Sequence, residues 1–171
     1  MLQMAQDEGR FGRISQPRRA WAPPGMRPRS PRQIVRESTY VYAAVAPQEG
    51  KMTSLILPTA DTAMMNLFLE HVAKTFADSF IVMQVDRAGW HRAKDLQVPE
   101  NIRLIYQPPY SPELNPAEHL WEHLREKKFA NLACSSLDEV VDKLCEELTQ
   151  LESQPKQVRS LTNFPHFRNT S

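Results

Sequence analysis

The alternation of apolar and polar positions predicts a chain of strands interspersed with helices. Strands are predicted over residues 2–6, 39–46, 53–57, 80–85 and 102–106. The second and third are rich in β-branched and aromatic residues and flank a turn at residues 47–50, which predicts a β-hairpin. The last two are short continuous apolar runs, a pattern typical of strands buried on both faces of a sheet.

Apolar residues at helical spacing predict three helices, over residues 62–78, 115–129 and 136–151. Asn115 is a suitable N-cap for the second helix, and Pro116 suits its first position. Beyond Gln154 no periodicity is evident, so residues 153–171 are predicted to be a loosely organised tail. The order of elements predicts one α/β domain over residues 1–152, built on a mixed sheet.

Charge is distributed unevenly along the 171 residues, although the net charge is only +1. Residues 9–36 contain eight arginines and no Asp or Glu, so the rest of the chain carries −7. Five prolines interrupt regular structure there, which predicts a basic loop over residues 16–36. Such a segment is either a polyanion-binding surface or a solvated loop. Within it, Trp21 either stacks on a base or anchors the loop, and the anchor is preferred.

The sequence lacks the features of a membrane or secreted protein. Its longest apolar runs are too short to span a bilayer, and no charged-then-apolar leader begins the chain. These features predict a cytoplasmic protein, which would be nucleoid-associated if it binds DNA.

Three acidic residues stand where predicted elements meet. Asp7 is predicted to close the first strand, Asp86 follows the strand over residues 80–85, and Glu118 lies in the first turn of the second helix. Asp is common in turns, and a Glu three residues after an N-cap can cap a helix, so each acid alone has a structural explanation. Together at one sheet edge they would suit Mg²⁺ and phosphoryl-transfer chemistry.

The strings around these acids are more specific than their positions. They read QDEGRFG at residues 6–12, VDRAGWH at residues 85–91 and PPYSPELNPAEHLW at residues 108–121. In this order they resemble the catalytic domain of DDE-type transposases, in the bacterial insertion-sequence branch of the mariner superfamily. The third string is the most distinctive, and the resemblance covers about residues 2–150.

The resemblance implies a ribonuclease H-like fold, with Asp7, Asp86 and Glu118 as a catalytic triad that holds two Mg²⁺ or Mn²⁺ ions. It implies cleavage of DNA at the element's ends and transfer of the freed 3′ ends to target DNA. A dimer or higher assembly on DNA is expected. The expected DNA contacts are Arg10, Arg13, Arg18, Arg19, Arg27, Arg29, Arg32, Arg87 and His91.

Two departures from the family pattern stand out. Arg87 follows the second Asp, where relatives often carry Asn or Gly, and such a cation would oppose metal binding unless it points at a phosphate. Family members also carry N-terminal helix-turn-helix modules that read the terminal repeats, whereas only six residues precede Asp7. A separate DNA-binding partner chain or region is therefore expected.

Three other functions are alternatives to the transposase hypothesis. His119 and His123 form an H-x-x-E-H pattern that occurs in zinc peptidases, although surface or DNA-facing positions are expected for both. A catalytically inactive, DNA-binding remnant of a transposase is a second alternative. A related ribonuclease H-like nuclease is a third.

Overall fold

The computed structural model describes residues 1–15, 17–19, 21–27, 29–109 and 111–163. Five strands in the described residues form one sheet: β1 (Leu2–Ile14), β2 (Ile34–Ala46), β3 (Lys51–Leu57), β4 (Ile81–Val85) and β5 (Ile102–Tyr106). Their order across the sheet is β3-β2-β1-β4-β5, which places β1 at the centre. β1 and β2 pair antiparallel, as do β2 and β3, whereas β4 lies parallel to β1 and β5. The prediction of a mixed sheet is confirmed.

Helices cover both faces of this sheet. They are α1 (Thr62–Thr75), α2 (Glu118–His123), α3 (Leu137–Glu152) and α4 (Pro155–Thr162), and one π turn, Leu124–Lys128, extends α2. α1 packs on one face through Met65 and Phe68, while α2, α3 and α4 bury Trp121, Leu144 and Val158 on the other. In the part of the chain that the structure describes, no helix is both long and apolar enough to cross a membrane.

Side-chain caps explain where the two longest helices begin. Asp61 accepts a hydrogen bond from the Met64 backbone N–H at 2.9 Å, and Ser136 accepts one from Glu139 at 3.1 Å. Each satisfies an N–H group that the first turn of a helix leaves unpaired. Both starts agree with the sequence prediction, although α1 ends at Thr75 rather than Asp78.

Three predictions about individual segments are wrong. β5 is an edge strand with Ile105 and Tyr106 exposed, because no helix covers its outer part, so it is not buried on both faces. β2 begins at Ile34, which shortens the basic loop. Residues 155–162 form α4 instead of a loose tail, because Val158 and Thr162 bury themselves in the core, while residues 164–171 lie outside the described residues.

Candidate active site

The three predicted acids line one cavity at the end of β4. This cavity has a volume of about 160 Å³, and its walls are Asp7, Asp86, Gln107, Pro108, Ser111, Asn115 and Glu118. The acids come from three separate elements, so the fold alone brings them together. The sequence prediction of their proximity is confirmed.

Asp7 reaches the cavity by a different route from the one predicted. It lies in the middle of β1, paired with Ala43 of β2, and does not close the strand. β1 continues because its alternating residues Ala5 and Phe11 pack into the core against α2 and α3. The parallel pairing with β4 stops at Ala5 and Gln84, and therefore Asp7 lies beside the end of β4, where Asp86 follows.

Glu118 is placed by the segment that precedes α2. Asn115 is buried and donates through Nδ2 to the Gln6 carbonyl at 3.1 Å, while its Oδ1 accepts from the Ala117 N–H. Gln84 Nε2 donates to the Leu114 carbonyl at 3.0 Å. Asn115 is thus not the N-cap residue predicted from sequence, because α2 begins at Glu118. Instead, it ties this segment to β1 next to Asp7.

Burial and a neighbouring carboxylate perturb Asp7. Desolvation, with repulsion from Glu118 as the next cause, raises the pKa of Asp7 from 3.8 to about 7. Trp121 opposes the rise by donating its indole N–H to Asp7 Oδ2 at 2.9 Å. Gly9 makes room for this indole, since a Cβ at residue 9 would lie 2.8 Å from Trp121 Cδ2. The crowding of negative charge favours a bound cation.

His91 is fully buried, which contradicts its predicted contact with DNA. Its Nδ1 lies 2.6 Å from Asp86 Oδ1, and its Nε2 lies 2.9 Å from Glu8 Oε1. Burial opposes protonation of the imidazole, but the hydrogen bonds to the two carboxylates outweigh it and raise the pKa of His91 to about 9. The same hydrogen bond from His91 lowers the pKa of Asp86. Asp86 is therefore ionised at neutral pH.

The donor set suits a hard divalent cation, because it consists of carboxylates from three elements facing one small cavity. Among the described residues, no three His, Cys, Asp or Glu side chains already stand together as a metal-binding group. Asp7, whose pKa is raised by burial and by neighbouring carboxylates, would be stabilised in its ionised form by a cation between the side chains.

The predicted DNA-contacting arginines divide into three groups. Five of them lie in the basic loop and are exposed: Arg18, Arg19, Arg27, Arg29 and Arg32. Arg10 is exposed but donates to Ser38 Oγ, and Arg87 is exposed but donates to the Gln107 carbonyl at 2.8 Å. Arg13 is held by Glu37 at 2.7 Å and by the Cys134 carbonyl, so it anchors the base of the loop and is not a free cation.

Asn131 connects the two ends of the basic loop by hydrogen bonds. Asn131 Oδ1 accepts hydrogen bonds from the Arg18 backbone N–H and from Ser30 Oγ, each at 2.9 Å. Asn131 has a φ of 57°, which Asn tolerates better than most residues. Trp21 is fully exposed, so the prediction that it anchors the loop is wrong. Gln16, Ala20 and Pro28 of the loop lie outside the described residues.

The H-x-x-E-H pattern does not form a zinc site in the described residues. His119 Nδ1 lies 3.2 Å from Glu122 Oε2, and His123 Nε2 lies 3.4 Å from Gln157 Nε2. The pattern arises because α2 places two histidines one turn apart, and no third His, Cys, Asp or Glu among the described residues completes a metal site with them.

Sequence reasoning missed three residues of the site. Glu8 is buried against His91, Trp121 donates to Asp7, and Gln107 lines the cavity, but none of the three is among the expected site residues. Gln107 follows β5 directly, and no described residue partners its buried Nε2. Register could have found it, because Gln107 occupies on β5 the position that Asp86 occupies on β4.

Two bacterial proteins are similar to this chain in sequence. A protein of Sinorhizobium fredii (strain NBRC 101917 / NGR234), y4pE/y4sA, is 37% identical over 123 residues, which are 71% of this chain and 91% of that protein. The 39 kDa protein of insertion element IS630 from Shigella sonnei is 29% identical over 113 residues, which are 63% of this chain and 33% of that protein. The chain therefore spans about a third of the IS630 protein.

The fold matches that of the Mos1 transposase. The Mos1 strand transfer complex superposes with a TM-score of 0.65 at 16% identity, over 94% of this chain and 53% of the Mos1 chain. A Mos1 mariner paired-end complex with Mn gives 0.66 at the same identity and coverage. The predicted ribonuclease H-like fold is confirmed. The sequence profile of the DDE superfamily endonucleases matches residues 4–141, and the chain belongs to this family.

Proposed function

We propose that this chain is the catalytic domain of an insertion-sequence transposase, which cleaves DNA and transfers the strand in a metal-dependent reaction. The observation that carries the proposal is the convergence of Asp7, Asp86 and Glu118 on one cavity. The family is that of DDE endonucleases, so a nuclease activity agrees with its membership. In this proposal the catalytic domain spans residues 1–152, with the basic loop inside it, and α4 packs against its core through Val158.

In this proposal the three carboxylates hold two Mg²⁺ or Mn²⁺ ions. When bound, these ions would activate the attacking hydroxyl group and stabilise the leaving oxygen of a phosphodiester. Asp86 is ionised and would bind a cation directly, whereas Asp7 would release its proton on binding one. Arg87, fixed on the Gln107 carbonyl, offers its remaining N–H groups to a DNA phosphate.

Gln107 supplies a further contact to the substrate. Its side chain lines the cavity, and its buried Nε2 has no partner among the described residues. A buried donor without an acceptor is unfavourable by about 1–3 kcal/mol. In this proposal a phosphate oxygen of bound DNA would supply the acceptor that Gln107 Nε2 lacks.

The assembly around this domain is also proposed. Two element ends must be held together for transfer, which favours a dimer or higher assembly on DNA, with the nucleoid as its place of action. Recognition of the terminal repeats would come from a helix-turn-helix region or partner chain, because the described residues contain no such module.

The decisive experiment measures nicking of supercoiled plasmid that carries the element's ends, with Mg²⁺ or Mn²⁺. The wild-type chain should nick, and Asp86→Asn should reduce the rate about 10³-fold, as loss of about 4 kcal/mol of metal stabilisation implies. Asn keeps an oxygen that can accept the His91 hydrogen bond, so the fold should persist. Glu100→Gln, an exposed acid outside the cavity, is the matched control.

Absence of nicking by the wild-type chain, with the ends and metal present, would instead support the inactive remnant. Nicking that ignores the element ends and prefers other DNA structures would support the related nuclease.

DNA binding through the basic loop gives a separate prediction. Replacing Arg18, Arg19, Arg27 and Arg29 by Gln should weaken binding and reduce the slope of log affinity against log salt, by about 0.9 for each phosphate that these arginines neutralise. The measurement is a binding titration at several salt concentrations. A matched quadruple replacement of exposed cations elsewhere serves as the control: Lys51, Arg103, Lys156 and Arg159. Equal slopes in the two variants would contradict a role for the loop.

A further inference from the structure

A chain of hydrogen bonds runs from Asp86, which lines the cavity, through the buried imidazole of His91 to Glu8 on the opposite face of β1 from Asp7. His91 lies in the short 3-10 helix Gly89–Arg92 and has no solvent exposure. Its Nδ1 is 2.6 Å from Asp86 Oδ1 and its Nε2 is 2.9 Å from Glu8 Oε1. Each ring nitrogen of His91 therefore lies within hydrogen-bond distance of one carboxylate oxygen.

Glu8 is fixed in place by three hydrogen bonds to one of its carboxylate oxygens. Its side chain is 5% exposed, and its Oε1 accepts from Gln6 Nε2 at 2.9 Å, from Trp90 Nε1 at 3.2 Å and from His91. Tyr106 holds the other side of His91 by donating its hydroxyl to the His91 carbonyl at 2.7 Å. The imidazole therefore has one fixed position between the two carboxylates.

Stability alone does not explain this cluster. Replacing a buried ion pair by well-packed apolar residues is often neutral or stabilising, because desolvation of the charges offsets their attraction. The two acids and the imidazole therefore need a role that apolar side chains of similar size would not fill.

The backbone indicates that role. Registered pairing between β1 and β4 ends at Ala5 and Gln84, before either strand reaches its acid. No backbone ladder therefore sets the separation of Asp7 from Asp86. Glu8 follows Asp7 directly, on the opposite face of β1, so the link from Glu8 through His91 to Asp86 spans the gap that the ladder leaves.

The link also orients the Asp86 carboxylate. Both hydrogen bonds that described residues donate to it, from His91 and from the Ala88 N–H at 2.8 Å, go to Oδ1. Oδ2 therefore remains for a ligand in the cavity that Asp86 lines.

We propose that His91, anchored by Glu8, is a positioning residue that fixes the Asp86 carboxylate relative to Asp7 so that the pair is preorganised for a divalent cation. The proposal rests on the proposed metal-dependent function. Neither Glu8 nor His91 lines the cavity, so their effect on a cation is exerted through Asp86.

The test compares Mn²⁺ affinity, by titration calorimetry, with the free energy of unfolding and with nicking. The double variant Glu8→Leu/His91→Phe removes the link without leaving an unpaired buried charge. It should still unfold cooperatively, at a somewhat lower urea concentration than the wild type, because Gln6 Nε2 and Trp90 Nε1 lose the acceptor that Glu8 provides. It should bind Mn²⁺ about 10- to 100-fold more weakly, as is typical when a metal ligand loses the groups that hydrogen-bond to it.

Two single variants sharpen the comparison. Glu8→Gln keeps an oxygen that accepts from His91 and should hold Mn²⁺ affinity within about threefold of the wild type. His71→Gln is the matched control. It perturbs a different histidine hydrogen bond, the 2.7 Å contact between His71 Nε2 and Thr53 Oγ1, which lies away from the acids. It should leave Mn²⁺ affinity unchanged.

The outcomes separate this proposal from the proposed function. Wild-type Mn²⁺ affinity in the stable double variant would overturn the positioning role and leave the function standing. A weakened affinity in that variant, with no nicking by the wild type, would support the positioning role and overturn the function. If the wild type binds no Mn²⁺, both are wrong. If the double variant fails to fold, weakened Mn²⁺ binding by folded Glu8→Gln would contradict the expected rescue.

Discussion

Replacing Asp7 by Asn is expected to stabilise the metal-free protein at pH 8 by on the order of 4 kcal/mol while abolishing metal-dependent nicking. The gain follows from the rise of the Asp7 pKa from 3.8 to about 7, since each pKa unit corresponds to about 1.4 kcal/mol. Asn carries no charge and can still accept the Trp121 N–H through its side-chain oxygen.

The pH dependence has a definite sign. Below about pH 4 the Asp7 carboxyl is protonated in both the folded and the unfolded chain, so the two proteins differ little. Between pH 4 and 7 the carboxyl is ionised only in the unfolded chain, and the wild type loses stability relative to Asp7→Asn as the pH rises. Above about pH 7 the difference is at its full size.

Urea unfolding in EDTA at pH 5 and pH 8 measures this difference. Asp78→Asn, at an exposed position after α1, is the matched control. It should leave the free energy of unfolding unchanged at both pH values. Adding Mg²⁺ should raise the stability of the wild type and not that of Asp7→Asn, because the ion binds the folded site. Equal stability of wild type and Asp7→Asn at pH 8 without metal would show that Asp7 is not under electrostatic strain.

Two replacements of Trp121 distinguish its contribution to core packing from its effect on the pKa of Asp7. Trp121→Ala should lose about 3–5 kcal/mol of stability, because the indole is fully buried against Phe11 and under Gly9. Trp121→Phe keeps an aromatic ring but removes the N–H that Asp7 accepts. The pKa of Asp7 should therefore rise further, and Mn²⁺ binding should need a higher pH than in the wild type.

Thermal unfolding and Mn²⁺ titrations between pH 6 and 9 measure the two effects. Phe129→Leu is the control, because it alters a second ring packed on Phe11 without touching Asp7. A pH dependence of Mn²⁺ binding that is the same in Trp121→Phe and the wild type would mean that the indole serves packing only.

The sequence predicted which acids meet, but not how the chain brings them together. Asp86 and Glu118 follow from local patterns, an apolar run that ends and a Pro-rich lead-in to a helix. Asp7 was misplaced at a strand end because DEGRFG has two glycines and three charges, the composition of a turn. Pairing with β2 overrides that local preference, and such pairing depends on residues far away in the sequence.

His91 shows a different limit of sequence reasoning. A histidine five residues after an acid gives no sign of which side of a sheet it will occupy. Its second partner, Glu8, is 83 residues away, and only the packing of the 3-10 helix against β1 brings them together. Tertiary contacts also decide the role of Arg13. Its positive charge predicts a contact with DNA, but in the fold that charge is paired with Glu37. In both cases tertiary packing decided what composition could not.

The pairing of Ala5 with Gln84 makes the site a late product of folding. These residues are 79 positions apart in the sequence. Glu118 reaches Asp7 and Asp86 only after the segment between β4 and α2 has also packed. Pairings over such distances form slowly because the entropy of closing a long loop must be overcome first. An N-terminal fragment that stops before α2 carries only two of the three acids. During synthesis the nascent chain therefore has no complete set of acids until all five strands of the sheet have been translated.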